Sequence, residues 1–159
     1  MTSQKATLIG LVAIVLWSTM VGLIRGVSEG LGPVGGAAMI YSLSGLLLIF
    51  TVGLPELLTA VALWFHYFLT PQPAMIFSLP VIAKLFTAAL TLGFAYAAWN
   101  VGILHGNVTI MAVGSYFTPV MSSALAALLL SSPLSFSFWQ GAVMVCVGSL
   151  LCWLATRRR

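Results

Sequence analysis

The stretch Leu8–Arg25, LIGLVAIVLWSTMVGLIR, meets no charge until its last residue. A second stretch, Leu85–Leu104, LFTAALTLGFAYAAWNVGIL, contains none at all. A helix must offer about 20 largely apolar residues to cross the hydrocarbon core of a bilayer. Both stretches come close to that length or meet it, and so do Val34–Leu54, Ile110–Leu130 and Phe138–Leu154. The fold class that follows is an all-α integral membrane protein, and its work lies within or across the bilayer.

Composition agrees. Of 159 residues, 61% are hydrophobic and 5% charged, more apolar surface than a water-soluble fold can hide. The net charge of +4 is no sign of nucleic-acid binding, because three of the six basic residues form the terminal run Arg157–Arg159. That run suits anionic headgroups at the end of a last helix. No basic stripe with interleaved aromatics is present. Cys146 and Cys152 are six positions apart on one predicted helix and point to different faces, which disfavours a disulfide. His66 and His105 are far apart and lack neighbouring carboxylates or thiolates, so no metal and no cofactor is implied. The apolar run after Lys5 is too long for the core of a secretory signal and reads as the first membrane helix. Asn107-Val108-Thr109 fits a glycosylation pattern by chance, in a short connection at a helix end.

Breakers divide the chain into six helices. Helix one covers about Thr7–Val27 and ends at the turn Ser28-Glu29-Gly30-Leu31-Gly32-Pro33. Helix two covers about Val34–Leu54 and stops at Pro55-Glu56. Helix three, Leu57–Leu69, gives about 20 Å of helix at about 1.5 Å per residue, short for an undistorted span and typical of a buried, re-entrant or cut-down segment. Pro71–Pro80 is a loop, with one interfacial turn expected around Ala74–Phe77. Helices four (Ile82–His105), five (Thr109–Leu130) and six (Ser137–Ala155) are joined by the short connections Gly106–Val108 and Ser131–Ser135, so they are antiparallel neighbours. Cytoplasmic flanks carry excess Lys and Arg. Lys5 and Arg157–Arg159 therefore put both termini in the cytoplasm, which requires an even number of crossings. Six fit if helix three spans. Arg25 and Lys84 then lie near the outer surface, where Arg25 can pair with Glu29 one turn on.

Four features bear on function. Gly22-x-x-x-Gly26 and Gly102-x-x-x-Gly106 are small-residue spacings that let helices approach closely, and helix packing accounts for them. Tyr96, Trp99, Asn100, Ile103 and Asn107 share one side of helix four. An Asn at mid-membrane must find a partner, so this side faces protein or water. It serves either an interhelical hydrogen bond or a cavity wall with aromatic surfaces and an amide. Trp17 and Ser18 sit similarly on helix one, whereas Trp64, Trp139 and Trp153 suit the interfacial belt. Pro119, midway along helix five, frees the Ser115 carbonyl and kinks the helix among Tyr116, Thr118, Ser122 and Ser123. That kink fits either a moving transporter helix or a passive bend. The chain has no Asp, and both glutamates fall outside the predicted spans, so no carboxylate proton relay is expected. No nucleophile–base pair or phosphate loop supports an enzyme.

Several motifs taken together resemble a known family. They are Leu16-Trp17-Ser18-Thr19, Gly32-Pro33-Val34-Gly35-Gly36, Phe94-Ala95-Tyr96-Ala97-Ala98-Trp99-Asn100, Ser115-Tyr116-Phe117-Thr118-Pro119 and Phe138-Trp139-Gln140-Gly141. With them the chain is similar to the drug/metabolite transporter superfamily, EamA type, and within it to the bacterial aromatic amino acid exporters. The resemblance implies an inner-membrane exporter of phenylalanine, tyrosine and tryptophan, extending to flat cations such as viologens. It also implies ten helices in two inverted halves around a central cavity. Against that plan, residues 1–56 look like the first two helices of the family and residues 57–159 like its last four. About four helices are missing near Leu54–Leu58. The cavity-lining candidates the resemblance carries over are Trp17, Ser18, Tyr96, Trp99, Asn100, Tyr116 and Pro119. Inverted-repeat transport normally rocks two halves around one site, and two copies of this chain, a homodimer, could approximate that. The alternatives are a transport-inactive membrane remnant and a small homo-oligomeric multidrug transporter. The latter class relies on a membrane-embedded acidic residue in its first helix, which this chain lacks.

Overall fold

The computed structural model describes residues 1–51, 53–129 and 136–157. The predicted connection Ser131–Ser135, the last two arginines and the side chains of Cys152 and Trp153 lie outside the described residues. Among the described residues seven helices follow one another: α1 (Ser3–Leu31), α2 (Pro33–Leu47), α3 (Gly53–Leu69), α4 (Leu79–His105), α5 (Val108–Ser115), α6 (Thr118–Leu129) and α7 (Phe136–Arg157). Among the described residues there is no strand. The chain divides into two compact units, residues 1–19 with 98–159, and residues 20–97. The long helices α1 and α4 contribute to both.

Within the first unit, α1 turns its small and polar residues inward. Thr7, Gly10, Ala13 and Ser18 are buried, while Leu8, Val12 and Val15 stand exposed. In the second unit α4 repeats the pattern, with Ala88, Ala89 and Ala95 buried and Phe86 and Phe94 exposed, the latter 64%. A water-soluble helix would bury the phenylalanines. In lipid the large apolar side chains face outward, and small residues let helices meet. This arrangement, with the length and apolarity of α1 and α4, makes the chain a membrane protein. The bent pair α5–α6 passes the same test as one broken span, while α2, α3 and Phe136–Leu151 are apolar but shorter.

Several predicted boundaries move. Helix one runs four residues further, through Ser28-Glu29-Gly30-Leu31, and the turn contracts to Gly32. Gly32 has φ 72° and ψ 162°, a region open essentially to glycine. Pro33 follows as the first residue of α2, where its missing N–H costs nothing. Gly32→Ala is expected to lose about 1–3 kcal/mol from that backbone strain, read as a lower unfolding midpoint in detergent. Helix two ends at Leu47, because the Leu48 carbonyl accepts from the Thr51 and Gly53 N–H groups (2.8 and 2.9 Å) and closes a turn. Helix three accordingly begins at Gly53 and reaches 17 residues, about 25 Å at about 1.5 Å per residue. The loop before α4 has no turn at Ala74–Phe77. Its Ile76 N–H donates to the Gly30 carbonyl instead (2.8 Å).

The largest correction is in helix five, which is two helices. They meet at 43° across Tyr116-Phe117, and Pro119 is the second residue of α6 rather than a mid-helix kink. A proline in a first turn removes no intrahelical bond. Pro119→Ala is therefore expected to change stability by less than about 1 kcal/mol, far below the roughly 3 kcal/mol scale of an interior proline. A thermal melt of the variant checks this.

Candidate functional site

In the first unit α1 and α4 run antiparallel and meet at glycine. A Cβ built on Gly102 would lie 2.7 Å from the Gly10 Cα, and one on Gly10 would collide with the Met111 side chain and lie 2.8 Å from the Gly102 Cα. Gly102 thus serves close packing, as its spacing suggests. Near the start of α1, the Thr7 hydroxyl donates to the Ser3 carbonyl (2.8 Å) and accepts from the Asn107 N–H (2.8 Å). The Asn107 side chain accepts from the Ile110 N–H (3.1 Å) and so caps α5, a helix-start role. A cavity of about 560 Å³ lies beside this junction, lined by Ser3, Gln4, Thr7, Leu8, Leu11, Asn107 and Ile110.

The glycine crossing sets the spacing at which Trp17 of α1 meets Trp99 of α4. Their ring centroids are 5.3 Å apart with planes tilted by 49°, within the favourable range for aromatic pairs. Both rings are partly exposed. Ser18 beside Trp17 is 1% exposed, and its hydroxyl donates to the Ile14 carbonyl (2.7 Å). Asn100 is half-buried, Tyr116 sits exposed at the α5–α6 break, and Pro119 is exposed. The structure therefore places six of the seven candidates in this unit and brings the rings of Trp17 and Trp99 into contact.

Tyr96 belongs to the second unit, with a group the sequence reading missed. Glu56 lies in the first turn of α3 and is only 4% exposed. The Ser44 hydroxyl of α2 donates to its Oε2. Its Oε1 is buried without a hydrogen-bond partner. Tyr41, Pro55, Glu56, Thr59 and Tyr96 line a cavity of about 220 Å³ there. Both glutamates are expected outside the predicted spans, whereas Glu29 lies within α1 and Glu56 within α3. Glu29 lies in the last turn of α1, 3.8 Å from Arg25 and 3.9 Å from Lys84 in exposed pairs, which are weak in solvent. Glu56 was misplaced because Pro55 reads as a stop, whereas a proline in a first turn starts a helix. The available signal was one carboxyl amid apolar neighbours, in a chain with two acidic residues in all. Trp64, expected in an interfacial belt, donates its Nε1–H to the Ser42 hydroxyl (3.0 Å) and stacks on Phe68.

The chain is 54% identical to the aromatic amino acid exporter YddG of Salmonella typhimurium (strain 14028s / SGSC 2262), over 293 aligned positions that cover all of both chains. It is 47% identical to the aromatic amino acid exporter YddG of Escherichia coli (strain K12), over 292 positions that cover 99% of this chain and all of that one. The chain belongs to the YddG family. No protein-family model and no solved structure matches it. Membership in the YddG family accords with the outward-facing apolar helices, and both relatives are named as exporters.

Proposed function

We propose that this protein is an inner-membrane exporter of aromatic amino acids, with both termini cytoplasmic, in an internally shortened form. The observation that carries the reading is the Trp17–Trp99 ring pair, 5.3 Å between centroids, in a chain whose relatives are named for aromatic amino acid export. Paired indoles at the edge of solvent offer flat apolar surfaces on which a phenylalanine or indole ring stacks. Asn100 and the hydroxyls near Pro119 orient the substrate's ammonium and carboxylate, and Tyr116 and Ser18 complete the lining. Flat cations such as viologens would share the ring surface. Movement follows the substrate gradient.

The length of the alignment supports the shortening. It runs over 293 positions against a chain of 159 residues, so 134 positions face no residue of this chain. At about 20 residues per span plus connections, that is room for about four helices. Identity at 54% of 293 positions is about 158 matches, nearly one for each of the 159 residues. On this reading residues 1–56 are the first-half remnant and residues 57–159 the second half. One observation favours a second reading, a remnant that inserts without transporting: α2 and α3 fall short of the span length. Efflux of preloaded labelled phenylalanine from cells lacking other exporters separates the two. The proposal expects efflux above the empty vector. Insertion at normal levels with no added efflux would support the remnant.

A further inference from the structure

The cavity of about 560 Å³ at the start of α1 has no part in the export reading, and its lining changes character with depth. Ser3, Gln4 and Thr7 line it first, then Leu8 and Leu11 further along α1. Helix α5 repeats the order, with Asn107 as its cap and Ile110 one turn on. At about 1.5 Å per residue, Ser3 to Thr7 covers about 6 Å of helix. The headgroup layer adds about 5–8 Å on each side of a bilayer's hydrocarbon core. The polar side chains thus sit at headgroup depth and the aliphatic ones at acyl depth. The cavity is open: Ser3, Gln4 and Asn107 are exposed, and so are Leu8 (64%) and Ile110 (44%). Its volume falls within the roughly 300–1,000 Å³ of small-molecule pockets.

Charge selects the kind of lipid. The first unit carries Lys5 and Arg157–Arg159 and no acidic residue, while in the second Arg25 and Lys84 balance Glu29 and Glu56. The whole formal net charge of +4 therefore belongs to the first unit. Lys5 stands exposed in the same turn as Ser3 and Gln4, and basic side chains at a helix end attract anionic headgroups. Phosphate oxygens accept hydrogen bonds, which Ser3 and Gln4 can donate. The Asn107 side chain spends its oxygen on the Ile110 N–H, which leaves its NH2 group to donate. A zwitterionic lipid would bring an ammonium to a unit without a carboxylate side chain to receive it.

We infer that this cavity is a binding site for one anionic phospholipid. Its phosphate takes hydrogen bonds from Ser3, Gln4 and Asn107 beside Lys5, and its upper acyl chain lies against Leu8, Leu11 and Ile110. The Thr7 hydroxyl, committed to Ser3 and Asn107, joins the two sides of the site. This goes beyond export of amino acids and does not depend on it.

Native mass spectrometry of the full chain in a neutral maltoside detergent tests the site, with equal amounts of phosphatidylglycerol and phosphatidylcholine of the same acyl chains. The expected result is at least about fivefold more bound phosphatidylglycerol. Gln4→Trp, which fills the cavity, should lower that ratio below about twofold, whereas Val12→Trp, on an exposed part of α1 outside the cavity, should keep it. Because a variant could fail to fold, a second measurement uses the unaltered protein. Phosphatidylglycerol with a photoreactive diazirine near the glycerol end of one acyl chain should crosslink to Leu8, Leu11 or Ile110. Excess unlabelled phosphatidylglycerol should reduce those crosslinks at least about fivefold, and excess phosphatidylcholine or glycerol 3-phosphate should leave them unchanged. Equal retention of the two lipids, or a preference that Gln4→Trp leaves intact, would overturn the inference. So would crosslinks confined to other residues, or displacement by glycerol 3-phosphate, which would make the ligand a soluble phosphate.

Discussion

Gly102→Leu is expected to destabilise the protein by about 3 kcal/mol or more, the upper end for forcing side-chain volume into a filled site. The reason is what the new side chain would meet. A Cβ at Gly102 lies 2.7 Å from the Gly10 Cα and 3.0 Å from the Met111 Sδ. Met111 is itself fully buried and could shift, but the Gly10 Cα is backbone. The two helices would have to separate, losing the close contact that drives association in lipid. Gly141→Ala makes the control, since a Cβ there meets nothing within 4 Å. It should be neutral or stabilise by up to about 1 kcal/mol through helix propensity. Unfolding midpoints in mixed micelles read both variants. Equal midpoints would mean that α1 and α4 do not meet at these glycines.

Trp99→Ala should reduce export of phenylalanine at least about tenfold, equivalent to about 1.4 kcal/mol. That loss matches the extra worth of one aromatic contact, about 0.5–1.5 kcal/mol beyond area burial. Trp99→Phe keeps a ring face toward Trp17 and should retain export within about threefold. The contrast between the two substitutions matters more than either alone, because a loss of packing alone would also lower the amount of inserted protein. Rates normalised to protein in the membrane remove that effect. Alanine and phenylalanine variants of equal normalised rate would take the indole pair out of substrate recognition.

The membrane character of the fold was readable from Leu8–Arg25 and Leu85–Leu104 because lipid demands long uncharged runs. The internal breaks were harder to read. Gly32 alone turns the chain, yet Ser28, Glu29 and Gly30 are all breakers by composition and were drawn into the same turn. In lipid, burial and hydrogen bonding override such weak preferences, and α1 runs on to Leu31. Prolines misled in a consistent way. Pro55 and Pro119 were read as a stop and a kink, but each sits in a first turn, where proline is compatible with helix. Which Trp residues would meet was partly legible. Trp17 and Trp99 stood out as central, and their rings are in contact. The pairing of Ser44 with Glu56 was not legible. It depends on the tight turn that folds α3 back against α2, which no local pattern announces.

Transport by the purified chain is the most direct test of export. Counterflow of labelled phenylalanine in proteoliposomes measures this without other exporters and without a metabolic energy source. Vesicles preloaded with unlabelled phenylalanine are expected to take up label above protein-free vesicles, and less so with Trp99→Ala. Uptake no greater than in protein-free vesicles, from protein shown to be inserted and folded, would contradict export.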